Sequence, residues 1–286
     1  MNSYLCMSVT GGGILGVGPA HYISRLETDL GFPLHKKLVG QAGTSTGSII
    51  AAAMAEGLKG SVIEDLYKKK GKDIFTKYSV IKRMGAKCPT YNNENLKKIL
   101  QSKFKGKLKD WGEPIFITTT FMNGKSVEKV WDPGDDVDKW FSVLTSCSAP
   151  TYFDVIVDEE HRSFCDGGLW ANSCPDILMA GMFRRGFRDI RILNLETGMD
   201  APNTDCGNKS LAGWGLYFIN KWIGRASRAP AFVVSAVLGD ENFFNVLPKI
   251  KKPFDMDKVS VIDDVIEIWD KQYDNDREKL LKFVNP

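Results

Sequence analysis

The apolar positions of the chain change period several times. "SYLCMSV" (residues 3–9) is a nearly continuous apolar run that predicts a short buried strand, and it stops at "TGGG". From Pro19 to Leu30 the period lengthens, with Ile23, Leu26 and Leu30 at helical spacing. The unit then repeats: strand-like "KKLVGQAG" passes into alanine-rich "STGSIIAAAMAEG", whose Gly57 marks the expected helix stop. In the lysine-rich helical stretch that follows, "NNENLKKILQSKFKG" turns Leu96, Ile99, Leu100 and Phe104 inward behind an Asn cap region. "PIFITTTF" and "KSVEKVW" read as adjacent strands joined by "MNGK", since Asn-Gly is a strong hairpin signal. "KWFSVLTSCSA" predicts a helix, and "FDVIVD" and "RSFCDGG" a second strand pair across the charged tip "EEH". A short helix near "PDILMAGMFRRG" and a strand "DIRILNLE" come next, and from Ser210 onward the pattern is mainly helical.

Strands alternating with helices imply a three-layer α/β/α sandwich around a mostly parallel sheet, which the hairpins make mixed. The 286 residues suit a single domain over 1–286, with a motif-bearing core at about 4–196 and a mainly helical part at about 210–286. The late apolar run "APAFVVSAVLG" is too short for a spanning helix, which needs about 20 residues. "MNSYLCMSVTGGG" lacks the basic start and long apolar segment of a signal peptide, so a cytoplasmic location is expected. Cys6, Cys88, Cys147, Cys165, Cys174 and Cys206 form no Cys-x-x-Cys pair or His/Cys cluster, which points to reduced thiols.

Charge adds one feature. Between Lys68 and Lys109, fourteen Lys/Arg face only Asp73 and Glu94, so the rest of a chain of net charge +3 is acidic. Solvated helix faces are the plain expectation, and attraction to an anionic lipid surface is the second. Aromatic residues are sparse in the stretch, which argues against a nucleic-acid partner.

Three segments carry candidate chemistry. In Gly43-Thr44-Ser45-Thr46-Gly47 a strand gives way to a helix at a serine, and a sharp elbow there lifts the hydroxyl out of the sheet while the glycines avoid Cβ collisions. The helix also aims its first N–H groups at the turn. Alone, the same pattern suits a glycine-rich turn with a surface serine. In Gly11-Gly12-Gly13-Ile14-Leu15-Gly16, consecutive glycines let peptide N–H groups point into a cavity as an oxyanion hole. The same spacing satisfies a dinucleotide fingerprint, but the next strand ends at Ser45 and not at the acidic residue such a site needs. In Asp166-Gly167-Gly168 the glycines let a carboxylate approach another loop, or simply make a hairpin exit.

The base is chosen from few groups. Of His21, His35 and His161, a Ser-Asp-His order would require His161, which sits in the charged tip of a predicted hairpin. A Ser45–Asp166 dyad needs no histidine, provided the aspartate's proton affinity is raised by apolar surroundings such as Phe164, Leu169 and Trp170.

These segments, in this order, resemble the patatin-like phospholipase family. "MSVTGGGILGVGPAHYISRLE" resembles its glycine-rich oxyanion segment, "GTSTGSIIAAAMA" its nucleophile elbow, "SCSAPTYF" a motif between elbow and aspartate, and "DGGLWANSCP" its catalytic aspartate segment. The likeness runs from about Tyr4 to Glu196, and more loosely to "FDMDKVSVIDD". It implies a lipid acyl hydrolase of phospholipase A type, with Ser45 as nucleophile, Asp166 as base and oxyanion donors in Gly11–Gly13, chiefly the amides around Gly12 and Gly13. Gly16, Gly43, Thr46, Gly47, Gly167 and Gly168 support the motifs, and the resemblance implies no metal or cofactor. The family usually has Asp before the three glycines and a basic residue two places after them, where this chain has Thr10 and Leu15. A membrane phospholipid substrate and peripheral membrane contact follow from the resemblance. "LAGWGLYFINKWIG" offers Trp214, Tyr217, Phe218 and Trp222 with Lys221 and the adjacent Arg225, as an interfacial helix or as ordinary core. The rival readings are a soluble Ser-His-Asp esterase or thioesterase using His161, and an inactive lipid-binding module.

Overall fold

The computed structural model of the protein describes residues 3–78, 89–125, 127–200, 207–208, 210–211, 213–214, 228–250 and 254–285. In chain order its strands are β1 (Tyr4–Val9), β2 (Leu38–Thr44), β3 (Ile115–Phe121), β4 (Glu128–Trp131), β5 (Ile156–Val157), β6 (Ser163–Asp166), β7 (Ile190–Leu195), β8 (Met199–Asp200), β9 (Phe243–Val246) and β10 (Lys249–Ile250). Its helices are α1 (Val17–Leu30), α2 (Thr46–Ala55), α3 (Gly60–Ile74), α4 (Glu94–Lys103), α5 (Lys139–Cys147), α6 (Gly168–Ala171), α7 (Pro175–Arg184), α8 (Arg228–Leu238) and α9 (Ile262–Val284).

Eight strands share one sheet in the order β5-β6-β3-β2-β1-β7-β9, with β4 also paired to β3, while β8 and β10 pair apart from it. The neighbours of β1, β2 with β3, and β7 with β9 are parallel; β3 with β4, β3 with β6, and β5 with β6 are antiparallel. This is the mixed, mostly parallel sheet of an α/β fold. Helices cover both faces, which is why β1 is buried along all but its first residue and β7 along its whole length. On one face α1, α2, α3, α4, α5 and α9 bury Tyr22, Ile50, Tyr67, Leu96, Val143 and Trp269; on the other, α7 and α8 bury Leu178, Met182 and Val234 against Cys6, Ala42 and Phe116.

The Asn-Gly hairpin forms as expected, with Ile117 opposite Trp131 and Thr120 opposite Glu128. Gly57 follows α2 in the left-handed region, φ 78°, where its missing Cβ is needed. Two expectations differ. "FDVIVD" contributes only Ile156–Val157, and the late part of the chain, expected to be mainly helical, adds β9 to the sheet edge beside β7. A four-residue strand such as "FFNV" shows too little periodicity to separate it from helix.

In the lysine-rich stretch Lys68, Lys69, Lys70 and Lys107 pair with Glu64, Asp65, Asp73 and Asp138, so part of the charge excess is spent locally. Cys6, Cys147, Cys165 and Cys174 are buried free thiols, whereas Cys88 and Cys206 lie outside the described residues. Of the aromatic segment, Leu211, Gly213 and Trp214 are described; Tyr217, Phe218, Lys221, Trp222 and Arg225 lie outside the described residues.

Candidate active site

The arrangement of β3 brings Ser45 and Asp166 together. Ile117 and Thr118 pair with β4, and Thr118 also with Thr44 of β2; Thr119 and Thr120 pair with β4, and also with Asp166 and Cys165 of β6. A strand has two edges, so β2 and β6 must share the edge of β3 that β4 does not occupy. They meet there end to end, one parallel and one antiparallel, with Thr44 opposite Thr118 and Asp166 opposite the next residue, Thr119. Hydroxyls lock the junction: Thr44 and Thr118 share a 2.6 Å hydrogen bond, and Thr120 Oγ1 donates to the Asp166 carbonyl at 2.7 Å.

Ser45 is the elbow itself, at φ 53° and ψ −127°, a strained backbone for a residue with a Cβ. The turn closes because Gly43 and Gly47 carry no side chains: a Cβ on Gly43 would enter the Gly47 carbonyl, and one on Gly47 the Val9 carbonyl at the end of β1. Thr46 opens α2 and shares a hydrogen bond with Tyr67 of α3, and that pair fills the space over Gly16. Gly167 lies against Thr118.

The Gly168 N–H donates to Asp166 Oδ1 at 2.7 Å, and the Ser45 hydroxyl lies near enough to the Asp166 carboxylate to lower its pKa. Asp166 is 5% exposed. Burial raises its pKa to about 6 against the pull of Ser45 and of the Gly168 N–H, and no cation among the described residues lies beside it. Phe164, one pleat away, is buried as expected, while Leu169 is 44% exposed and Trp170 uses its indole N–H on the Thr119 carbonyl. The dryness around Asp166 thus owes little to Leu169, because α6 turns that side chain outward.

The glycine loop follows β1. Gly11 adjoins Ser45, a Cβ there coming 3.1 Å from Ser45 Cβ. The Gly11 N–H, expected among the oxyanion donors, instead donates to the Asn172 carbonyl at 3.0 Å, so it is committed to joining the aspartate segment to this loop. The amides of Gly12 and Gly13 have no partner among the described residues, whereas Ile14 N–H donates to Met256 and Leu15 N–H to Gly12. Gly13 adopts φ 58° beneath the Met256 carbonyl.

Several residues of the site carry no signal that spacing could have shown. Ser146 Oγ accepts the Ser45 N–H at 2.9 Å, the Cys147 thiol donates to the Ser45 carbonyl at 3.1 Å, and the Ser148 carbonyl accepts the Asp166 N–H at 3.0 Å. "SCSAPTYF" therefore clamps elbow and aspartate at once. Asn172 and Thr197 brace the glycine loop.

The histidines stand elsewhere. His161, at φ 59°, occupies the exposed β5–β6 tip, where its N–H donates to Asp158 and its carbonyl accepts from Asn123. Five residues of extended chain, about 16 Å, separate it from Asp166. His21 lies between Glu64 and Asp270, at 3.1 and 2.9 Å. Among the described residues no cluster of His, Cys, Asp and Glu could hold a metal ion.

The chain is similar to a cUMP-AMP-activated phospholipase of Escherichia coli, 27% identical over 69% of this chain and 66% of that protein. It is also similar to a cGAMP-activated phospholipase of Pseudomonas aeruginosa, 25% identical over 60% of this chain and 54% of that protein. A patatin-like protein 2 of Arabidopsis thaliana is 25% identical over 80% of this chain and 67% of its own. The chain thus spans less than two thirds of the length of the bacterial relatives. Among solved structures, VipD from Legionella pneumophila overlays with a TM-score of 0.49 at 12% identity, covering 96% of this chain and 67% of that one. Residues 7–179 match the family described as patatin-like phospholipase, and with elbow, glycine loop and aspartate segment all inside that span, the chain belongs to this family.

Proposed function

We propose that the protein is a lipid acyl hydrolase that cleaves a glycerophospholipid ester through a Ser45–Asp166 dyad. Asp166 accepts the proton as Ser45 Oγ attacks the ester carbonyl carbon, and the Gly12 and Gly13 amides receive the developing oxyanion. Collapse expels the lysolipid alkoxide, which takes the proton back from Asp166 and leaves an acyl-Ser45. Water then gives a proton to Asp166 and attacks the acyl carbonyl, and the fatty acid departs as Ser45 is reprotonated.

The observation that carries this reading is a serine held in a strained elbow beside a buried carboxylate, the two brought together by neighbouring positions on β3, with burial raising the carboxylate's proton affinity. The exposed tip position of His161 weighs against a Ser-His-Asp esterase. In this reading the chain works as one domain, since β9 and α9 of its late part join the same sheet and the same core as the motifs. It acts on membranes peripherally; no described helix is long and apolar enough to cross one, and Leu211 and Phe232, 91% and 76% exposed, offer apolar contact.

Labelling with a fluorophosphonate, followed by mass spectrometry of products from mixed phospholipid vesicles, tests the proposal. Wild-type protein is expected to label and to release fatty acid, and Ser45→Ala to do neither. The bacterial relatives are named for activation by cUMP-AMP or cGAMP, so each compound is included as an added arm. Wild-type protein that neither labels nor hydrolyses in any arm would reduce the site to a lipid-binding module.

A further inference from the structure

We infer that Thr197, just beyond the end of β7, is a positioning residue of the oxyanion hole: it holds the Gly11–Gly12 peptide so that the Gly12 amide faces Ser45. The inference rests on the reaction proposed above. Thr197 Oγ1 donates to the Gly11 carbonyl at 2.7 Å, and the Thr197 N–H donates to Thr10 Oγ1 at 2.9 Å. The two threonine hydroxyls are 3.4 Å apart, so Thr10 supplies the proton that Thr197 Oγ1 can still accept. Thr10 stands where the family usually carries Asp, and here its hydroxyl is engaged by Thr197.

A trans peptide is planar, so its C=O and N–H point in opposite directions. The sheet order sets β7 on one side of β1 and β2, with the Ser45 elbow, on the other. A Gly11 carbonyl drawn toward Thr197 therefore turns the Gly12 N–H toward the nucleophile. The next peptide is fixed differently: the Gly12 carbonyl accepts the Leu15 N–H at 3.2 Å inside the short helical turn, which aims the Gly13 N–H away from that turn. The Gly11–Gly12 peptide has no such backbone partner among the described residues. Glycine tolerates both orientations of a flipped peptide, so one hydroxyl decides between them. Thr197 also packs directly on Gly12, where a Cβ would come 2.7 Å from its own Cβ, and it is 6% exposed.

Thr197→Val keeps the shape and removes the hydroxyl, whereas Thr197→Ser keeps the hydroxyl and removes the methyl. On a soluble nitrophenyl ester, Thr197→Val is expected to lower kcat about 10- to 100-fold with KM within about twofold, and Thr197→Ser to stay within about threefold of wild type. Thermal unfolding of both variants checks that the fold is intact. A second measurement needs no turnover: microsecond-to-millisecond exchange at the Gly12 amide, read by 15N relaxation dispersion, should appear in Thr197→Val and not in Thr197→Ser. Wild-type kcat and a quiet Gly12 in Thr197→Val, equal losses in both variants, or a loss confined to KM would overturn the inference. Ser45→Ala separates the two ideas: persistent turnover there ends the proposed reaction, while the Gly12 dispersion still decides whether Thr197 holds the peptide.

Discussion

Two acidic sites in the fold meet opposite fates. Asp166 is buried with no cation beside it among the described residues, and its pKa rises to about 6. Glu64 and Asp270 are also partly buried, but His21 bridges them, Lys68 joins Glu64 and Arg25 joins Asp270, so both carboxyls fall below their ordinary range despite desolvation. Burial alone would lower the His21 pKa, yet its two carboxylate partners outweigh it and raise it. A carboxylate denied a cation holds a proton more readily, as the proposed base must, and one given a cation becomes a fastener. The second cluster ties α9 and α3 to α1, the helix that follows the glycine loop; the first is available for chemistry.

The strongest way to break this contrast is Asp166→Asn. It is expected to reduce turnover at least about 10³-fold, comparable with Ser45→Ala, because the serine loses its proton acceptor. Its effect on stability should have the opposite sign. An aspartate whose folded pKa lies near 6, above its ordinary 3.8, is destabilising at neutral pH by an amount on the order of 2–3 kcal/mol. Asparagine removes that cost and still accepts the Gly168 N–H. Calorimetry of Asp166→Asn should therefore show a raised or unchanged midpoint, and a large loss would mean that the carboxylate is a structural group.

The pH profile is the next test. Only ionised Asp166 can accept the Ser45 proton, so kcat/KM on a soluble ester should fall about tenfold per unit below about pH 6 and level off above it. A limb that persists in His21→Gln would keep the assignment on Asp166. A limb near the ordinary aspartate value would remove the idea that burial tunes this group.

His21→Gln itself probes the fastener. It should destabilise the fold by about 1 kcal/mol, a small figure because Arg25 and Asp270 are partly solvated, and leave kcat within about twofold. The sign with pH differs between partners. The contribution of His21, whose pKa is raised, is fully present below its ordinary 6.5 and lost as pH climbs through its folded value. Those of Glu64 and Asp270, whose values are lowered, are present above their ordinary 4.5 and 3.8 and lost as pH drops through their folded values. Stability differences between wild type and His21→Gln should accordingly be largest in mildly acidic solution and shrink toward alkaline pH.

The two clusters also differ in how far the sequence revealed them. The elbow was legible because steric demands select particular residues at fixed spacing: Gly43 and Gly47 have no room for a Cβ beside Ser45. Asp166 was legible through the two glycines after it. Ser146, Ser148 and Asn172 fell inside quoted motif segments, but their roles, and Thr197 altogether, were not legible, since each acts through tertiary hydrogen bonds across the fold that impose no period and no local spacing. The same reason hid the commitment of the Gly11 amide, and it hid His21, whose carboxylates lie 43 and 249 residues along the chain.

The smallest expected effect belongs to His161→Ala, and it is informative for that reason. A Ser-His-Asp reading requires this imidazole beside Ser45, yet it sits on an exposed turn at the start of β6, whose far end carries Asp166. Its backbone, not its ring, makes the bonds that hold the turn, to Asp158 and Asn123. Alanine preserves those bonds, at a cost of a few tenths of a kcal/mol for placing a Cβ-bearing residue other than His in the left-handed region. Esterase kcat should stay within about twofold of wild type and the acid limb should not move. A loss of a hundredfold would show that the hairpin folds over the site during turnover, and the separation of tip from dyad would then describe only the resting enzyme.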